Sequence, residues 1–176
     1  MLDQMDSIAI RWADVLIREK KLPTGSISEN DRQKLTALRD SVCGQLVKYG
    51  LKSFDPAEFG ISQDSYLPIY DNFDLSFDMS ASDLIRLVWA YLLGLLEIAR
   101  KFPNNHAGFV FFDEPQQQNV KDLSFSALLQ RAYLTKGFNQ QVVVSISKLP
   151  PDFTALIPEA DRHLIDIHDK WMLIPE

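Results

Sequence analysis

The sequence predicts an α/β fold: a mostly parallel sheet flanked by helices, preceded by a helical hairpin or the stub of a coiled coil. Three observations predict it. Gly108-Phe109-Val110-Phe111-Phe112 is a continuous apolar run, as expected of a strand covered on both faces in a parallel sheet. Gln141-Val142-Val143-Val144-Ser145-Ile146 is a second such strand. Between them, Val120 to Tyr133 reads as a helix that breaks at Lys136-Gly137, so strand, helix and strand form a βαβ unit with the usual right-handed crossover.

The first 50 residues read as two helices. Ile8, Trp12, Val15 and Leu16 make an apolar stripe at helical spacing that ends near Lys21, and Pro23-Thr24-Gly25 breaks the chain. Ser28, with Asp31 three residues on, has the spacing of an N-cap, and Leu35, Leu38, Val42 and Leu46 carry the second helix to Gly50. A hairpin packed on the domain and the entry of a coiled-coil arm both fit. Residues 1–50 therefore form one division and 51–176 the other. From Leu51 to Asp78 the pattern changes to Pro, Gly and aromatics, with a strand at Tyr66–Tyr70 and an apolar patch at Phe73–Phe77. Leu84 to Ala99 is strongly apolar, but it is shorter than the ~20 residues a bilayer needs and carries Arg86 and Glu97, so it predicts a helix buried in a domain. Pro103-Asn104-Asn105 makes a turn before the first sheet strand. Leu149-Pro150-Pro151 ends the second, and His163–Ile167 with Lys170–Ile174 reads as a closing hairpin.

Composition narrows the function. With 176 residues and 46% hydrophobic content the chain can bury one real core, and 24% charged residues fit neither a disordered nor a membrane protein. A net charge of −6 argues against a chain that coats nucleic acid by itself, while leaving DNA contact open to a larger assembly. Cys43 is the single cysteine, which excludes a disulfide framework and a thiolate metal site. The acidic start, Met1 to Asp6, has no signal-peptide pattern, so a reducing cytoplasm is the expected compartment and no membrane partner is expected. His163 and His168 lie near Asp161, Asp166 and Asp169, but in a hairpin such residues alternate faces, which disfavours a metal site. No nucleophile elbow or Cys–His pair is present. Trp12, Trp89 and Trp171 lack interleaved basic residues and read as core or interface anchors.

Two motifs carry chemistry. Four apolar residues lead into Asp113-Glu114-Pro115, and an acidic residue at the carboxyl end of a buried parallel strand stands where ligands collect on open α/β sheets. It can hold Mg²⁺ against nucleotide phosphates, and a second carboxylate beside it can take the proton of an attacking water. An acidic turn capping the next helix explains the same residues. Upstream, Ser80 and Asp83 have capping-box spacing at the start of the buried helix. The free N–H groups of such a helix end also make an anion site, to which a serine hydroxyl adds a donor.

In that order these parts resemble the C-terminal lobe of an ABC-type ATPase head, a P-loop NTPase, in the branch of the structural-maintenance-of-chromosomes and double-strand-break-repair ATPases. The resemblance covers roughly Leu67 to Ser147. It implies that Asp113 serves Mg²⁺, that Glu114 is the catalytic base, and that Ser80, Ala81 and Ser82 bind the γ-phosphate of ATP held by a partner head. Gln116, Gln117, Gln118 and Asn119 take the place of the loop at the dimer seam. Three departures stand out. Ala81-Ser82 replaces the usual Gly-Gly pair, Ser145-Ile146-Ser147 stands where a switch histidine is usual, and none of the seven glycines lies in a phosphate-binding loop. The resemblance thus implies half an ATP site, completed by an N-terminal lobe from the same longer protein or another chain and working as a head-to-head homodimer, in DNA repair, chromosome organisation or DNA defence. A non-catalytic α/β interaction domain is the alternative.

Overall fold

A computed structural model describes residues 2–20, 27–71, 73–74, 79–116, 121–149 and 153–166. The chain divides into two compact units, Met1–Gln33 and Lys34–Glu176, which are taken separately. In the first, helix α1 (Leu2–Lys20) follows the predicted stripe, yet Ile8, Trp12 and Val15 are exposed. Helix α2 (Glu29–Tyr49) starts at the predicted cap: the Asp31 N–H donates to Ser28 Oγ at 3.1 Å, and the Ser28 hydroxyl donates to the Asp31 carboxylate at 2.7 Å.

The second unit takes in the rest of α2. From Leu38 onward this helix buries Leu38, Val42, Leu46 and Tyr49 in the same core as the helices that follow, so the helical pattern up to Gly50 is continuous with the α/β core rather than set apart from it. Gly50 ends it with φ +72°, and the Leu51 N–H reaches the Leu46 carbonyl at 3.1 Å in a Schellman turn that only a residue tolerant of positive φ closes without strain.

Three short strands come next: β1 (Phe59–Ile61), β2 (Pro68–Tyr70) and β3 (Phe73–Asp74), paired antiparallel in that order. The expected strand at Tyr66–Tyr70 is thus trimmed, since Tyr66 turns at φ +60°, and β1 had no clear sequence signal. The patch predicted at Phe73–Phe77 is described only in its first two residues. The connectors are far too short for a crossover, which forces antiparallel pairing. The sheet as a whole is therefore not mostly parallel among the described residues. Its parallel part is a separate pair, β4 (Phe109–Asp113) and β5 (Gln141–Ser145), in register from Phe109 opposite Gln141 to Asp113 opposite Ser145.

Helix α3 (Ala81–Ile98) is the predicted apolar helix, and Leu87, Trp89, Ala90, Leu93 and Leu96 are buried. Trp89 meets Tyr49 edge-on at 5.9 Å and Phe125 at 6.3 Å, which bears out its reading as a core anchor; Trp12 is exposed and Trp171 lies outside the described residues. Helix α4 (Asp122–Tyr133) adds Phe125, Leu128 and Leu129 to the core and ends before Gly137 at φ +85°. These helices cover one face of the β4–β5 pair. Val110 and Phe112 are buried, but Phe109 and Phe111 are 46% and 51% exposed. The apolar run predicted coverage on both faces; among the described residues it is complete on one, while on the other Phe111 borders an open groove beside Leu84 and Val88 of α3.

At the C-terminal end the predicted hairpin is not formed by residues 163–166, which carry no strand; its remaining residues lie outside the described ones. Helix α5 (Phe153–Leu156) and a 3-10 turn (Glu159–Asp161) precede them. Asp161 accepts from Tyr133 Oη and Lys136 Nζ, both at 2.7 Å, and the Arg162 guanidinium lies 4.9 Å from the Phe153 ring centre. The Asp161 contacts tie the segment to the end of α4. Among the described residues no helix is long and apolar enough to cross a membrane.

A side chain at Gly94 would enter the contact between α2 and α3, where an added Cβ meets Leu38 Cδ1 at 2.9 Å and Val42 Cγ2 at 3.1 Å. Gly94→Leu is expected to destabilise the fold by about 1–3 kcal/mol through overpacking, read as a lower denaturant midpoint in urea.

Candidate functional site

Strand β4 carries Asp113 to the carboxyl end of the parallel pair, opposite Ser145 of β5. Asp113 is exposed, and its carboxylate has no hydrogen bond or ion pair among the described residues. Glu114 leaves the strand with φ +44°, an uncommon backbone for a non-glycine residue, held by its N–H to the Ser145 carbonyl at 2.9 Å. Its carboxylate accepts from the Ser147 hydroxyl at 3.3 Å. Neither acid caps α4, whose N-cap is Lys121, with Asp122 as the acid of the first turn. The capping explanation for Asp113-Glu114 is therefore excluded by position. With Pro115, Leu84, Val88 and Phe111 they line a groove of about 330 Å³.

One exposed, unengaged carboxylate beside a second fits what Mg²⁺ asks of protein: one or two acidic oxygens, with water and phosphate completing the octahedron. No group of three or more His, Cys, Asp or Glu side chains that could hold a metal occurs among the described residues, and His168 and Asp169 of the histidine-bearing tail lie outside them. Of the expected seam loop, Gln116 is described and its amide lies 3.5 Å from Asp122 Oδ1. Gln117, Gln118 and Asn119 lie outside the described residues.

Ser80 is the N-cap of α3, and its Oγ accepts from the Asp83 N–H at 3.2 Å. Ala81 is the first helical residue, and Ser82 Oγ stands 3.3 Å from Ser80 Oγ. The capping box is only half formed. Asp83 does not reach back to Ser80; its Oδ2 accepts from Ser53 Oγ at 2.6 Å and from the N–H groups of Ser53 and Lys52 at 2.9 and 3.2 Å. Ser53 Oγ in turn faces the Ser80 N–H at 3.3 Å, so Asp83 fixes the cap through an intermediary.

Arg86 completes this arrangement, and sequence reasoning missed its role. Its guanidinium pairs with Asp83 Oδ1, and its Nε donates to Ser124 Oγ at 3.2 Å, which donates to the Tyr49 carbonyl at 2.7 Å. The signal was available: an acid and a base three residues apart, both inside the most apolar helix. Burial pushes the Asp83 carboxyl up, but hydrogen bonds from Ser53 and Arg86, the Lys52 backbone and the Arg86 charge outweigh it and hold the group below the usual aspartate range.

Ser80 and Ser82 open onto a second cleft, of about 520 Å³, on the other side of α3 from the carboxylate groove. The two candidate motifs are thus close along α3 but do not share one pocket. Against known proteins, no family model, no curated protein and no solved structure matches this chain.

Asp83→Ala would leave Arg86 buried without its counter-charge, and a loss of roughly 3–5 kcal/mol in chemical denaturation is expected. Because the folded pKa is depressed, the ionised Asp83 contributes its full stability above the ordinary aspartate value of about 4. That contribution is lost as pH falls below this value through the folded pKa. Acid titration of the melting temperature should therefore be less steep below about pH 4 in Asp83→Asn than in the unaltered chain.

Proposed function

We propose that this chain is the C-terminal half of an ATP-binding and hydrolysing head, similar to those of structural-maintenance-of-chromosomes and repair ATPases. The observation that carries the proposal is the pair of acids at the carboxyl end of β4, which serve no cap and have a serine hydroxyl aimed at the second of them. Asp113 would hold Mg²⁺, which offsets charge on the β- and γ-phosphates. Glu114 would accept the proton of the attacking water. Ser147, following the strand where a switch histidine is usual, would orient that carboxylate by hydrogen bonding.

Ser80, Ala81 and Ser82 would receive the γ-phosphate presented by a partner head. Two clefts on opposite sides of α3 suit this division, in which one head uses its acids on one nucleotide and its serines on another. Gln116, with Gln117, Gln118 and Asn119, would line the seam. The phosphate-binding loop would come from an N-terminal lobe in the same longer protein or another chain. ATP-driven pairing and its release on hydrolysis would then act on DNA in repair, chromosome organisation or defence, in the cytoplasm. A non-catalytic interaction domain competes with this reading, favoured by the exposed Phe109 and Phe111 face.

The test is the head completed with an N-terminal lobe. Glu114→Gln should lower Mg²⁺-dependent ATP turnover by about 10²–10⁴-fold, the usual contribution of a general base, while ATP-driven dimerisation in gel filtration persists. Unchanged hydrolysis would remove Glu114 from its role, and absence of any turnover in the completed head would favour the interaction domain.

A further inference from the structure

The cleft beside Ser80 is strongly cationic in an otherwise acidic chain. Lys48 at the end of α2, Lys52 in the loop after it, Lys121 before α4 and Arg86 all line this one cleft of about 520 Å³. The single carboxylate in the lining is Asp83, already engaged by Arg86, Ser53 and the Lys52 N–H. The three ammonium groups have no ion pair or hydrogen bond among the described residues. A chain of net charge −6 gains nothing in stability by gathering unpaired cations around one concavity. Hydroxyls accompany them: Ser80 and Ser82 line the cleft, and α4 begins there with no side-chain cap on its first N–H groups.

We infer that this cleft is a binding site for a compact polyanion, the triphosphate end of a nucleotide, and that Lys48, Lys52 and Lys121 are its main ligands. The inference deepens the proposed function at Ser80 and Ser82 and rests on it for the nucleotide, but adds three ligands outside the signature segment. Their charge accounts for a site that lacks the Gly-Gly pair: where Ala81 and Ser82 keep the backbone from approaching phosphate closely, long ammonium side chains reach it. The phosphodiester backbone of DNA has the same chemistry. The shape favours the triphosphate, because the three lysines line one cleft, whereas a duplex is met by an extended basic stripe.

Isothermal titration of the chain with inorganic triphosphate tests this. One saturable site is expected, weakening as salt rises. Lys52→Ala with Lys121→Ala should weaken it by at least about tenfold, as loss of two charge-assisted contacts implies. Lys101→Ala, just beyond the opposite end of the 18-residue α3 and so about 27 Å away, should not. These lysines are exposed, so folding is preserved, and a circular dichroism melt checks it. No saturable binding, or equal binding by the double variant, overturns the site. A duplex oligonucleotide that binds more tightly than triphosphate with the same lysine dependence overturns the ligand assigned to it. Triphosphate binding without ATP turnover in the completed head sustains the site and removes the ATPase reading alone; Glu114-dependent turnover without triphosphate binding overturns the site alone.

Discussion

Asp83 and Arg86 face each other almost without access to water, three residues apart on α3, with side chains 3% and 7% exposed. An ion pair that deep is tolerated only if its remaining hydrogen-bonding capacity is used, because desolvation otherwise exceeds the Coulombic gain. Its partners come from three directions. Ser53 and the Lys52 backbone lie in the loop after α2, Ser124 opens α4, and Ser124 passes the contact to the last turn of α2 through the Tyr49 carbonyl. The need to satisfy one charge pair thereby fixes α2, α3 and α4 at one end. Apolar packing alone permits small slides between helices, whereas directional hydrogen bonds do not.

A second network does the same further along. Glu97 takes a two-point contact from Arg131 of α4 at 2.5 and 2.6 Å and a hydrogen bond from Ser41 of α2 at 2.7 Å. Gln45 links Ser41 to the Ala90 carbonyl and accepts from Tyr49 Oη, so the polar chain runs along the buried side of α2. Arg86 and Glu97, the two charges that interrupt the apolar run, are therefore two of the points at which α3 is tied to its neighbours by hydrogen bonds. Leu87, Leu93 and Leu96 supply the burial energy between them.

This rigidity sets what the candidate site can do. Because Ser53 connects Asp83 to the Ser80 N–H, the start of α3 is held by the loop after α2 as well as by its own cap. Ser80 and Ser82 at that helix start are then held in place in advance, which would reduce the ordering an anion requires there. The acids at the end of β4 are differently placed. Glu114 is held in a left-handed conformation by the Ser145 carbonyl, and strain of that kind persists where surrounding contacts over-determine it.

Local pattern determined the elements. Helical spacing, the Ser28 and Ser80 caps, the Gly50 and Gly137 stops and the two apolar strands each depend on neighbours within a turn or two, so α1 to α4, β4, β5 and their parallel pairing were legible from residues alone. The position of Asp113-Glu114 at a strand end was legible for the same reason. Contacts between distant segments were not. The apolar run of β4 could not reveal that Phe109 and Phe111 stay about half exposed, since that depends on what lies across the sheet. The Ser80–Asp83 spacing looked like a closed capping box, but Asp83 turned to donors 30 residues earlier in the chain. Lys48, Lys52 and Lys121, scattered and unremarkable in sequence, meet in one cleft only after three helix ends converge. Periodicity and capping are encoded within a few residues; ion pairing, sheet coverage and the shape of a binding cleft are decided by which distant surfaces the buried charges of α3 draw together.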